Sequence, residues 1–70
     1  WSSAPPAELS TREREILGLV SKGLSNEEIA SECYVSTATV KTHLLRSFRK
    51  LGVSDRASAV YKAVKMGLII

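Results

Sequence analysis

Residues 25–51 of the sequence, SNEEIASECYVSTATVKTHLLRSFRKL, decide the fold of the chain. They contain two helix-start signals. Ser25 is followed three residues later by Glu28, and Ser36 precedes a second stretch with helical periodicity. Tyr34 and Val35 lie between these segments and leave room only for a tight turn. The pattern predicts two helices, over residues 26–33 and about 37–51, joined as a helix-turn-helix.

An earlier helix is predicted over residues 11–22. Ser10 and Glu13 have the spacing of a capping box, and Gly23 is placed to adopt the left-handed conformation that ends a helix. Residues 12–15 are all charged, so we expect them to form a solvated first turn. One apolar stripe faces the core: Ile16, Leu17 and Val20.

A last helix is predicted over residues 55–66, with Ser54 as its cap and Asp55 as an acid in its first turn. Ala59, Val60 and Ala63 form one inward stripe. A second stripe has helical spacing but no evident place in so small a core. Its members are Ala57, Tyr61 and Val64. With no strand pattern and no internal repeat, the sequence predicts an all-α, four-helix domain over residues 9–70.

Residues 1–8, WSSAPPAE, lack periodicity and contain Pro-Pro, so we interpret them as a linker or tether. The alternative is that they were added by an expression vector. The chain begins at Trp1 without a methionine, and we expect it to be part of a longer protein. No stretch approaches the roughly 20 apolar residues that span a bilayer, and no signal peptide opens the chain. A cytoplasmic location is expected, because a chain with the single cysteine Cys33 fits a reducing, cytosolic setting.

The composition excludes several classes of function. Seventy residues, of which 44% are hydrophobic and 24% charged, form one small core and no substrate cavity, so we expect no enzyme. The lone Cys33 rules out an internal disulfide, and no second ligand accompanies His43, so no metal or cofactor is expected. Cys33 is expected to be an inert buried thiol. The alternative is a redox switch, which would need a basic neighbour to lower the pKa of the thiol, and none is evident in the sequence.

Charge is unevenly distributed along the chain. The net charge is only +3, but residues 33–54 contain Lys41, Arg46, Arg49 and Lys50 and no acid. A basic segment without acids favours binding to a polyanionic partner. The ordinary alternative is that these charges only form a solvated surface.

A helical wheel of residues 37–51 divides that helix into two faces. Val40, Leu44, Ser47 and Leu51 form the face expected to pack in the core. The opposite face is expected to contact DNA bases along its centre and phosphates along its edges. Its central residues are Ala38, Thr42, Leu45 and Arg49, and its flanking residues are Thr39, Lys41, Arg46 and Lys50.

Five blocks in order, LSTRERE, GLSNEEIA, YVSTATVKTH, KLGVSDR and GLI, resemble the LuxR-type (GerE, NarL/FixJ) helix-turn-helix domain of bacterial transcription regulators. The resemblance covers residues 9–68 and places the helix-turn-helix unit at 26–45. It implies that the third helix enters the major groove and that the fourth pairs two domains on neighbouring half-sites. Ala57, Tyr61 and Val64 would then form the dimer contact.

The resemblance also implies roles for single residues. The base-contacting positions of the family match Lys41, Thr42 and Leu45. Its phosphate-contacting positions match Thr39 and Lys50, and also Ser25 and Asn26 through backbone amides. His43 matches a family histidine, for which packing and a phosphate contact remain equal alternatives. Leu45 is apolar where several relatives carry a polar side chain, which favours contact with a thymine methyl group.

Two functions from different classes follow. The first is sequence-specific binding of double-stranded DNA by a homodimer that regulates transcription. The resemblance implies that an upstream domain, a phosphorylatable receiver, controls this binding. The second is a protein-interaction module that docks another domain through the last helix and the apolar tail, without DNA binding. The uncompensated basic face favours the first.

Overall fold

The computed structural model describes residues 9–69 of the chain. Within them lie four helices and no strand: α1 (Thr11–Ser21), α2 (Asn26–Cys33), α3 (Thr37–Leu51) and α4 (Arg56–Lys65). The predicted all-α, four-helix architecture is therefore confirmed. The predicted linker, residues 1–8, lies outside the described residues, as does Ile70.

Serine caps begin the first three helices. Ser10 Oγ accepts the Glu13 N–H at 3.2 Å, and Glu13 Oε1 accepts the Ser10 N–H at 2.9 Å. The same reciprocal pair joins Ser25 and Glu28, at 3.2 and 2.8 Å. Both predicted capping boxes are confirmed, and each satisfies two amides that lack an acceptor within the helix. Ser36 caps α3 through its hydroxyl.

Two predicted helices are slightly too long. Lys22 caps α1 at its C-terminal end instead of belonging to it. The predicted start of α4 was wrong, because Asp55 has extended backbone angles and is itself the cap. Its carboxylate accepts the Ser58 N–H at 2.8 Å, and this bond lowers the pKa of Asp55. Ser54 therefore lies outside the helix and does not cap it.

The turn between α2 and α3 depends on a left-handed residue. Tyr34 has φ of 58°, so that the Val35 N–H can reach the Ala30 carbonyl at 3.0 Å. Gly52 plays the same part after α3, with φ of 72°. Glycine adopts this conformation without strain, whereas tyrosine does so at a cost in free energy. The side chain of Tyr34 is 93% exposed, so packing contacts of the ring do little to offset this cost.

The core lies between α1 and α3, which contact each other and both contact α2 and α4. Each fully buried leucine or isoleucine contributes about 1.5–3 kcal/mol by leaving water. In α4 the two buried side chains are alanines, Ala59 and Ala63, whereas Val60 is only half-buried. The buried apolar residues are Leu9, Ile16, Leu17, Val20, Ile29, Ala30, Cys33, Val40, Leu44, Leu51, Ala59 and Ala63. Within residues 9–69, no helix has the length and apolar character needed to cross a lipid bilayer.

Glu13, which was expected to be solvent-exposed in the first turn of α1, is buried. Its side chain is 3% exposed, so that prediction was wrong. A capping-box glutamate folds back toward the helix start, and here that position is covered by α3. The other three residues of the charged run are partly or fully exposed: Arg12, Arg14 and Glu15.

Candidate nucleic-acid interface

The outer face of α3 forms a continuous exposed surface. All five side chains proposed to contact bases are exposed: Ala38, Lys41, Thr42, Leu45 and Arg49. All four residues of the opposite face are buried: Val40, Leu44, Ser47 and Leu51. The wheel prediction of these two faces is confirmed. Leu45, 53% exposed, leaves an apolar side chain in the middle of a polar surface.

Local hydrogen bonds hold this face in place. The Ser36 and Thr39 hydroxyl oxygens lie 2.9 Å apart, which fixes Thr39 at the start of α3. Thr42 donates its hydroxyl to the Ala38 carbonyl at 3.1 Å, so that its oxygen can act only as an acceptor toward a further partner. Ser47, on the buried face, donates to the His43 carbonyl at 2.8 Å. Thr42 and Ser47 thus bond to carbonyls of their own helix, whereas Thr39 contacts the hydroxyl of the capping Ser36.

The start of α2 lies beside this face. The amides of its first turn have no intrahelical acceptor and carry the positive end of the helix dipole. The Ser25 amide is already occupied by Glu28, however. Glu27 is a second acid in this turn, and its charge opposes that of a phosphate. The amides of Asn26 and Glu27 are therefore the ones left for an anion.

Arg56, which the sequence patterns did not single out, joins the start of α4 to the start of α2. Its Nη1 donates to Asn26 Oδ1 at 2.7 Å, and its Nη2 donates to the Leu24 carbonyl at 2.9 Å. Arg56 also borders a hollow of about 240 Å³ next to the outer face of α3. That hollow is lined by Asn26, Lys41, Leu44, Leu45, Phe48 and Arg56. The KLGVSDR block held this arginine, but no local pattern indicated its partners.

Lys50, proposed to contact phosphate, is paired inside the protein. Its Nζ donates to Glu13 Oε1 at 2.8 Å, and the lysine side chain is 38% exposed. Burial raises the pKa of Glu13, and the bonds from Lys50 and Ser10 lower it, so that the pKa lies below its ordinary value. Glu13 is thus ionised and neutralises much of the charge of Lys50. Arg46, by contrast, is exposed.

The second stripe of α4 is exposed in the single chain. Tyr61 is 66% exposed and Val64 45%, and Ala57 is exposed as well. Lys65 Nζ lies 5.6 Å from the centroid of the Tyr61 ring. Shallow hollows of about 470 and 460 Å³ flank that ring. This surface is unused by the core, as the sequence predicted.

Comparison with known proteins identifies the family. The family described as bacterial regulatory proteins, luxR family (GerE), matches residues 7–63. The chain belongs to the LuxR family. It is 52% identical over 61 residues to the probable transcriptional regulatory protein NarL of two Mycobacterium tuberculosis strains. These matches cover 87% of the chain but only 28% of each relative.

Two solved structures share the LuxR-family fold. The response regulator ChrA, from a heme-sensing two-component system, has 47% identity and a TM-score of 0.86 over 89% of this chain and 31% of its own. The transcription factor GerE has 34% identity and a TM-score of 0.85, over 89% of this chain and 92% of its own. The chain is thus a domain of a family of bacterial transcription regulators, which is a DNA-binding family and not an enzyme family.

Two further residues of this LuxR-family domain were singled out by the sequence. Cys33 is a buried free thiol in the core, which agrees with the inert alternative. His43 is half-buried, and its Nδ1 is a buried atom without a hydrogen-bond partner among the described residues. Packing therefore accounts for part of the ring, and a phosphate contact for His43 stays a prediction. Within residues 9–69, the His, Cys, Asp and Glu side chains form no group of three that could hold a metal ion.

Proposed function

We propose that this domain regulates transcription by inserting α3 into the major groove of promoter DNA. The observation that carries the proposal is the outer face of α3, which is exposed along its length and contains cations but no acid. An α-helix fits the major groove, and the groove presents a distinct pattern of donors and acceptors for each base pair. Short side chains at the centre of the helix can approach the base edges.

Each exposed residue has a proposed part in this contact. Leu45 contacts thymine methyl groups, and Lys41 donates to guanine or to a nearby phosphate. Residues proposed to contact bases are Ala38, Lys41, Thr42, Leu45 and Arg49. Residues proposed to contact phosphates are Asn26, Thr39, His43, Arg46 and Lys50. The amide of Ser25 is bonded to Glu28, so the predicted contact through that amide is withdrawn, and Ser25 is proposed to reach phosphate only through its hydroxyl. The pairing of Lys50 with Glu13 makes it the weakest cation of the second group.

Two such domains are proposed to bind neighbouring half-sites as a homodimer. In a twofold pair the same surface patch meets itself, and the α4 stripe offers an aromatic ring between two shallow hollows. An exposed tyrosine and valine on one helix face supply apolar area that water would otherwise cover. Ala57, Tyr61 and Val64 are the proposed contact residues.

The domain itself is proposed to span residues 9–70, with its helix-turn-helix unit at 26–45 and residues 1–8 as a linker. The chain spans about 28% of the length of the regulators that it matches, and we propose that the input is carried by further chain. We propose an upstream regulatory domain, a receiver phosphorylated on aspartate, in a cytoplasmic protein. The similarity to the response regulator ChrA supports this assignment.

Selection from a pool of randomised DNA duplexes tests the proposal without knowledge of the operator. The chain should enrich one motif, and fluorescence anisotropy with that duplex should show affinity that falls steeply with salt. Lys41→Ala should weaken binding, whereas Lys22→Ala, which removes an exposed cation at the end of α1, should not. A pool without enrichment, or binding insensitive to salt, would refute DNA recognition.

Analytical ultracentrifugation on the enriched duplex tests the pairing separately. The native chain should bind two copies per duplex with positive cooperativity. Tyr61→Glu places a charge in the proposed apolar contact and should abolish the cooperativity while leaving the affinity for a single half-site unchanged. Full cooperativity in Tyr61→Glu would exclude α4 as the contact.

A further inference from the structure

Two helices with different proposed tasks are joined by one side chain. Within residues 9–69, α2 and α4 each pack on α1 and α3, but they do not pack on each other. The guanidinium of Arg56 crosses between them, to Asn26 Oδ1 at 2.7 Å and to the Leu24 carbonyl at 2.9 Å. Hydrogen bonds from a charged donor are about twice as strong as neutral ones. The start of α4 is thereby tied to the start of α2.

The two acceptors lie where backbone position matters most. The Leu24 carbonyl immediately precedes the cap of α2, and Asn26 is the first residue of that helix. A guanidinium is a planar fork, so two bonds fix the direction of approach as well as the distance. On the other side, Arg56 adjoins Ala57, the first member of the α4 stripe. Arg56 therefore links the residue that begins the α4 stripe to the backbone at the start of α2.

We infer that Arg56 is a positioning residue that sets the start of α2 relative to α4, so that pairing through α4 fixes how α2 and α3 meet DNA. This inference rests on the proposed function. Arg56 acts through Asn26 and the Leu24 carbonyl, and both of its Nη atoms donate into the protein. Its effect is on the coupling between two half-sites, not on contact with a phosphate of its own.

The test compares two duplexes: the enriched two-half-site duplex and a duplex that contains one half-site. The measured quantity is the ratio of the two affinities, obtained by anisotropy over a series of salt concentrations. Arg56→Ala should reduce this ratio by about fivefold or more, the usual size of coupling between sites. The salt slope on the single half-site should stay unchanged. Arg14→Ala, which removes an exposed arginine from α1, is the matched control and should preserve the ratio.

A second variant keeps the test valid if Arg56→Ala folds poorly. Asn26→Ala removes one acceptor and should reduce the ratio in part. The double variant should then show no greater loss than Arg56→Ala alone, because both changes break the same link. Amide hydrogen exchange should quicken in the first turn of α2 in Arg56→Ala, while α1 stays protected; a general loss of stability would quicken both.

Three outcomes would overturn the inference. The ratio could be unchanged in Arg56→Ala, the two losses could add in the double variant, or the salt slope could fall by about 0.9, the value for one lost phosphate contact. These differ from failure of the proposed function, in which the native chain itself shows no selective DNA binding.

Discussion

Lys50 Nζ lies 2.8 Å from Oε1 of Glu13, and this oxygen also accepts the backbone N–H of Ser10. One carboxylate oxygen thus binds both the start of α1 and the end of α3. Glu13 and Lys50 are 37 residues apart in the sequence. The pair orients α3, the helix proposed to contact DNA, against α1.

The Glu13 pair predicts a pH dependence of stability. Because the pKa of Glu13 is lowered by folding, its contribution is complete above the ordinary carboxyl range and is lost as pH falls through the folded-state pKa. Glu13→Gln retains an oxygen for the Ser10 N–H but removes the charge. We expect it to cost about 1.5 kcal/mol near pH 7, the lower end of the range for a hydrogen bond to a charged group because Lys50 is partly exposed, and less near pH 3.

Urea unfolding at both pH values measures this difference. Glu15→Gln is the control, since Glu15 is exposed on the same helix. An equal loss in Glu13→Gln at both pH values would contradict the pair.

The same pair predicts unequal roles for two cations in the second half of α3, Arg46 and Lys50. Arg46 is exposed, whereas Lys50 is committed to Glu13. Arg46→Ala should lower the salt slope of DNA binding by about 0.9, and Lys50→Ala should lower it by clearly less. Anisotropy over a salt series distinguishes them. A larger decrease in Lys50→Ala would mean that DNA displaces Glu13 from the lysine.

Leu45 should determine sequence preference more than affinity. Its exposed side chain makes no hydrogen bond, so its contribution to DNA binding is contact with an apolar group such as a thymine methyl. Leu45→Ala should reduce discrimination at one base pair by about 1 kcal/mol or more and leave binding to unrelated DNA unchanged. Selection with the variant measures this, and an unchanged motif would remove Leu45 from the base contact.

Tyr34 should be replaceable with a gain in stability. It holds φ of 58° with an exposed ring, and asparagine adopts this conformation more readily. Tyr34→Asn is expected to raise the free energy of unfolding by about 0.5–1 kcal/mol. Tyr34→Phe keeps the same backbone preference and should change nothing. Thermal unfolding of the three proteins checks the order, and a destabilised Tyr34→Asn would imply a contact of the tyrosine ring.

The local parts of this structure could be predicted from the sequence. Capping boxes at Ser10 and Ser25, and the two faces of α3, depend on residues within a few positions of one another. Contacts between distant residues could not. Glu13 lies in a charged run that resembles a solvated turn, and only the packing of α3 over it makes it buried. Arg56 lies 32 residues from Leu24, so no spacing indicated their bond.

Chemical-shift mapping of the isotope-labelled chain with the enriched duplex tests the proposed DNA contact most directly. We predict that the largest amide shifts fall at the start of α2 and along the outer face of α3, between Ala38 and Arg49. The outer face of α1, including Arg14, should change little. Largest shifts on α1, or none on α3 at saturating DNA, would contradict the proposed insertion of α3 into the major groove.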